Sequence, residues 1–319
     1  MPLQPSAFKP RKSWAKRPQE KKKKILGRFL VWSARKRGER VLPAHSFSHQ
    51  LNTAQTARWY LKAIGSKARE QNLGELASIG HDLVRLGQGH GLSSAKAMGK
   101  LLAKRVGRKP LARMTNAMFR HGIPAVKNGK RIKSDPVSDS VFFADRMETM
   151  GAYGAFRLPV SDGEMPRFQQ MFEEAIRQRV SQMEMPVLQR KRQEYMEIIR
   201  QDAMIDVILL DARECIMYTT RPGFYKDGKE IDAVPMEKYY PKKVLPTIEK
   251  YVGELRNFSN ALAMRKPWAL EIATVFFGHG QTSTKQLNDL ILEFKPHTEK
   301  AREFRQRALN YIAGKIEEG

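Results

Sequence analysis

The chain has 319 residues, room for about two domains at roughly 150 residues each, and its 41% hydrophobic content excludes a wholly disordered protein. A net charge of +25 with a pI near 10.2 lies outside what an ordinary soluble enzyme needs. Cys215 is the single cysteine, which excludes an internal disulfide, and no apolar run approaches the roughly 18 residues of a membrane span.

The charge is unevenly placed. Residues 1–134 hold 31 Lys and Arg against 5 acids, whereas residues 135–319 hold 27 against 28. Between Asp82 and Asp135 there is no acid at all. Like charges repel within a compact state, so such a block calls for a polyanion. Nucleic acid is the usual one, because neutralised phosphates release counterions; an anionic membrane surface is the main rival.

In chain order, residues 1–43 read as a basic arm, with Pro2, Pro5, Pro10 and Pro18 and the run Lys21, Lys22, Lys23 and Lys24. Within it, ILGRFLVWSARKRG (25–38) reads as a short amphipathic helix carrying Arg35 and Arg37. The start lacks a secretory apolar core, so the chain is not expected to be secreted; its acid-poor, basic composition is also that of an organelle transit peptide. The cytoplasm or a nucleoprotein particle is the expected location.

Residues 44–134 are predicted to form a basic helical domain with helices at 52–71, 73–86, 93–106 and 110–121, Ser93 and Ser94 capping the third. Asn128-Gly129 then predicts a tight hairpin, because a type I′ turn needs positive φ at both central residues. Lys96, Lys100 and Lys104 recur every four residues on one face, opposite Ala95, Met98, Leu102 and Val106. On the next helix Arg113, Asn116 and Arg120 oppose Leu111, Met114 and Met118. Arg can pair with guanine and Asn with adenine, as major-groove readers do. Two helices joined at Gly107–Lys109 and followed by a basic hairpin resemble a winged helix-turn-helix, although the apolar positions of the second helix fall about one residue out of register. Charge asymmetry and helical spacing assign nucleic-acid contacts to Lys21, Lys22, Lys23, Lys24, Arg35, Arg37, Lys96, Lys100, Lys104, Arg105, Arg108, Lys109, Arg113, Asn116, Arg120, Lys127, Lys130, Arg131 and Lys133, with DNA favoured over RNA as partner.

Asp135-Pro136 and the change in charge mark a boundary to a neutral domain, 135–319, expected to serve assembly or self-association. Ser161-Asp162 is predicted to open a helix with Met165, Phe168, Phe172 and Ile176 on one face. Pro186 interrupts before a second helix to about Gln201. Strand-like runs follow at Ile205–Leu210 and Glu214–Thr219, then a hairpin across FYKDGKEIDAV, then three or four helices from Lys242 to Glu318. The expected class is mainly α with a small β component (α+β).

Four motifs bear on chemistry. Gly87, Gly89 and Gly91 precede a helix as in methyltransferase or dinucleotide loops, but the acid that would hold a ribose is missing. ATVFFGHGQTSTKQ lacks the Gly-Lys-Ser/Thr of a phosphate loop. Of the seven histidines, His45, His49, His81, His90, His121, His279 and His297, only His45 and His49 lie four apart, and no carboxylate accompanies that pair, so no metal ligand set is expected. Asp206, Asp211 and Glu214 on strands would suit a metal-dependent nuclease, but Ile216 stands where one large nuclease class carries Lys. The expectation is thus a non-enzymatic nucleic-acid-binding protein without cofactor. The alternatives are a structural virion or nucleoprotein component facing packaged genome, and a metal-dependent nuclease or other nucleic-acid-modifying enzyme.

Overall fold

The computed structural model describes residues 47–84, 90–104, 106–183, 192–226, 229–279 and 284–313. The arm, ILGRFLVWSARKRG, Lys21–Lys24, Arg35, Arg37, Arg105, the glycine run 87–91 up to Gly89, and Pro186 lie outside them.

The class is as expected, mainly α with two small antiparallel hairpins. The first four helices are α1 (Phe47–Ala63), α2 (Ala68–Gly80), α3 (His90–Leu102) and α4 (Arg108–Arg120). Each begins two to five residues earlier than predicted. Ser94 is accordingly no cap: it is buried inside α3, and its hydroxyl donates to the Val84 carbonyl and accepts from the Val84 amide. Strands β1 (Val126–Lys127) and β2 (Lys130–Arg131) close the predicted hairpin, with φ of 51° at Asn128 and 63° at Gly129.

Helix α5 (Pro136–Met147) occupies the place assigned to a domain boundary. Asp135 is its N-cap, accepting from the Val137 amide, and Pro136 fits its first turn. Val137, Val141, Phe142, Phe143 and Met147 are all buried, so α5 is apolar on nearly every side and runs through the interior. Val137 and Val141 pack with Leu73, Met98 and Met114 from the basic half, while Phe143 stacks on Trp59 and Phe142 lies against Tyr239. Buried packing therefore continues across residue 134, where the charge changes.

Beyond it come α6 (Gly151–Glu164), α7 (Pro166–Ser181) and α8 (Arg192–Thr220). Ser161-Asp162 ends α6 rather than opening α7. The two predicted strands at 205–219 belong instead to the 29-residue α8, whose Ala203, Val207, Ile208 and Ala212 are buried at helical spacing. The short apolar run Val207–Leu210 imitated a strand because it fits one as well as it fits one side of a helix. Strands β3 (Gly223–Lys226) and β4 (Lys229–Ala233) form the second hairpin. A single turn, α9 (Met236–Tyr239), leads to α10 (Leu245–Ala263), α11 (Pro267–Phe276), α12 (Thr284–Glu293) and α13 (Glu299–Ile312). Among the described residues no helix is long and apolar enough to cross a membrane.

The three acids of the nuclease expectation are dispersed along α8. Asp206 pairs with Arg179, Glu214 accepts from Arg167 at 2.9 Å, and Asp211 faces the fully buried Asp162. Burial first, then the charge of Asp211, holds the Asp162 carboxyl well above the ordinary range. A raised native value means stability that is present below the unfolded value and lost as pH rises through the native one, at up to about 1.4 kcal/mol per pH unit. Asp162→Asn is therefore expected to raise the melting temperature, by a margin that grows from pH 5 to pH 8. A margin that stays constant or shrinks would contradict the assignment.

Candidate metal centre

Five helix ends meet at one buried point. His49 stands in the first turn of α1, on the stripe that continues through Thr53, Ala57 and Tyr60. His81 and Asp82 follow the last residue of α2, His90 is the first of α3, and His121 follows the last of α4. Asp145 lies in the last turn of α5 and Glu148 is its C-cap. Three of these ends are helix C-termini, whose carbonyl ends favour a cation.

The ring orientations are fixed from behind. His81 Nδ1 lies 2.6 Å from the Ser78 carbonyl and His121 Nδ1 lies 2.6 Å from the Met118 carbonyl. Each ring donates from Nδ1, so each neutral ring turns its Nε2 lone pair into the cluster, as metal-bound histidines do. His49 Nδ1 is 3.6 Å from Glu148 Oε2, and Tyr311 of α13 donates to Glu148 Oε1 at 3.2 Å.

The donor atoms form two sets, joined by a third grouping of His81, His121 and Asp145. In the first, His49 Nε2 is 3.2 Å from His81 Nε2, 3.8 Å from Asp82 Oδ2 and 3.5 Å from Asp145 Oδ1. His81 Nε2 lies 3.4 Å from Asp82 Oδ2 and 3.5 Å from Asp145 Oδ1. In the second, His90 Nε2 is 3.0 Å from His121 Nε2, and these two atoms are 3.4 and 3.7 Å from Asp82 Oδ1. Ligand bonds of about 2.1 Å put neighbouring donors about 3.0 Å apart at right angles and about 3.4 Å apart at tetrahedral angles. The observed spacings lie at or slightly above those values, so both sets fit a divalent cation. Asp82 serves both, one oxygen to each.

Without a cation the cluster keeps a proton on His81, which a bound ion would have to displace. Burial, Arg157 and His81 hold His49 well below the ordinary histidine value, and burial with His81 lowers His121. Against burial, Asp82 and Asp145 lift His81 to about 9. Both carboxylates stay ionised despite burial, held down chiefly by His81. Burial pushes Glu148 up to about 7 against the pull of Arg157 and Tyr311. Imidazole with carboxylate and no thiolate suits Mn, Fe, Co, Ni or Zn better than a structural zinc knot. Cys215 stands apart, beside Asp211 on α8.

The chain alone suggested no metal ligand set, because in sequence the legible signal is ligands three or four residues apart. Here they come from residues 49, 81, 82, 90, 121 and 145, and the fold alone collects them. One signal was legible: Asp82 follows a histidine and is the last acid before the acid-free stretch.

The predicted nucleic-acid residues fall into two groups. Lys96, Lys100, Lys104, Arg108, Lys109, Asn116, Lys127, Lys130 and Lys133 are exposed, and Arg120 is half-buried. Arg113, by contrast, forks onto Asp135 with both contacts at 2.7 Å and reaches Glu70 at 2.9 Å. Arg131 pairs with Asp139 at 2.7 Å and lies over the Tyr239 ring. These two guanidiniums hold α2, α4, the hairpin and α5 together, so Arg113 is engaged within the fold. The chain matches no protein-family model, no curated protein and no solved structure.

Proposed function

We propose that the chain is a metal-dependent hydrolase of phosphate esters, with two cation positions bridged by Asp82. The observation that carries this reading is the split of the Asp82 carboxylate, Oδ2 toward His49 and His81 and Oδ1 toward His90 and His121. Paired cations would supply Lewis acidity at a phosphoryl oxygen and an activated water near neutral pH.

The protein's own residues set the rest. The first set has four protein donors. The second has three; with His90 32% and Asp145 29% exposed, the cluster opens to solvent and keeps room for a substrate oxygen. The carbonyls of Ser78 and Met118 hold the rings that face inward. The excess positive charge of residues 1–134 favours an anionic substrate carried on a nucleotide or nucleic acid.

The test uses the full chain stripped with EDTA. Calorimetric titration with Mn²⁺ is expected to show two ions per chain. Hydrolysis of bis(p-nitrophenyl) phosphate is expected to appear with Mn²⁺ and vanish with chelator. Failure to bind ions, or the absence of hydrolysis with Mn²⁺, Co²⁺, Ni²⁺ and Zn²⁺ alike, would overturn the reading.

A second reading keeps binding without chemistry, through the basic arm and the exposed lysines of α3. It is favoured by the exposure of Lys96 and Lys100 together with the acid-free stretch around them.

A further inference from the structure

We infer that the outer groove between α3 and α4 is the track for a single-stranded nucleic acid that feeds the metal centre. This deepens the hydrolase reading and rests on it for the word feeds, though binding in the groove is tested separately.

The groove is a shallow, open depression of about 520 Å³. Its floor is apolar, from Leu92, Leu111 and Phe119, and its rim carries Lys96, Arg108 and Asn116. Leu92 and Phe119 remain 43% and 46% exposed, which is unusual for large apolar side chains sharing one cleft. Helices α3 and α4 run antiparallel, so the end of the groove at Leu92 and Phe119 is also the end where His90 and His121 turn inward.

Charge complementarity selects the occupant. Neither helix bears an acid to offset Lys96 and Arg108 on the rim. An apolar peptide or a second copy of the chain would use the floor but leave these cations unmatched. A phosphodiester strand uses both, with phosphates along the rim and a base against the exposed Phe119 ring. A duplex does not fit this chemistry, because its base faces are already stacked. Arg113, the residue best suited to reading a major groove, points away to Asp135 and Glu70.

The experiment is fluorescence anisotropy of the full chain, without metal, against fluorescein-labelled dT15 and a blunt duplex of equal length across a salt series. The single strand is expected to bind more tightly. Phe119→Ala is expected to weaken dT15 binding about tenfold, the loss of one base stack. Lys96→Ala with Arg108→Ala is expected to reduce the log–log salt slope by about 1.4, two phosphate contacts on a single strand. Gly99→Leu provides a second route, because a Cβ at Gly99 meets only Thr115 Cγ2 at 3.8 Å, so a larger side chain fills the groove without touching charge. It too should weaken binding.

Wild-type affinity in Phe119→Ala and Gly99→Leu, or tighter binding of the duplex that is indifferent to Phe119, would overturn the groove. Hydrolysis of bis(p-nitrophenyl) phosphate by the unaltered chain is scored separately. Its absence beside Phe119-dependent dT15 binding sinks the hydrolase and keeps the groove; its presence beside indifferent binding does the reverse.

Discussion

Asp82→Asn is expected to lower Mn²⁺-dependent hydrolysis by on the order of a thousandfold, the several kcal/mol that Lewis-acid stabilisation contributes. It should also reduce the bound ions from two to one or none. The reason is geometric. Each Asp82 oxygen completes a different donor set, so one side chain is common to both. Asparagine keeps the size, but offers one oxygen, no charge, and an NH₂ group that cannot ligate. His90→Ala is the informative partner, because it takes a single donor from the second set and leaves the first intact. One retained ion is expected there. Two ions and parental activity in Asp82→Asn, in a chain with an unchanged circular dichroism melt, would remove the bridging role.

The helices of the first half were legible because their apolar positions recur at helical spacing and because Asn128-Gly129 allows only one kind of turn. Their starts were not, since the signals used for them answer to local chemistry alone. Ser94 reads as a cap in sequence, yet its hydroxyl is spent on Val84 inside the bundle. Helix α8 was misread for a related reason: the short apolar run Val207–Leu210 fits a strand as well as one side of a helix, and only its length of 29 residues separates the two.

The metal centre was invisible for a deeper reason. Its ligands are single residues at helix ends, each unremarkable in its own segment. Nothing local says that the ends of α2, α4 and α5 converge, because convergence is set by how Leu73, Met98, Met114 and Val141 pack. The excess of charge was legible as composition, but which cations are already paired was not. Arg113 shows this in one residue: it is the clamp that joins the basic half to Asp135.

A fragment ending at residue 134 is accordingly expected not to fold, and to bind neither Mn²⁺ nor dT15 with the affinity of the whole chain. Removing α5 strips the interior of Val137, Val141, Phe142, Phe143 and Met147, all buried. At about 1.5–3 kcal/mol for each fully buried large apolar side chain, these sum to roughly 10 kcal/mol, as much as an entire domain's net stability. The truncation also deletes Asp145, a donor of the first set, and exposes Tyr60 and Leu61, which pack into the core shared with Phe143, Tyr240 and Phe156. Far-ultraviolet circular dichroism of the fragment should show residual helix without a cooperative thermal transition, whereas the full chain melts cooperatively. A cooperative melt in the fragment would mean that α1 to α4 carry a sufficient core of their own, and that α5 is an addition to the bundle and not its centre.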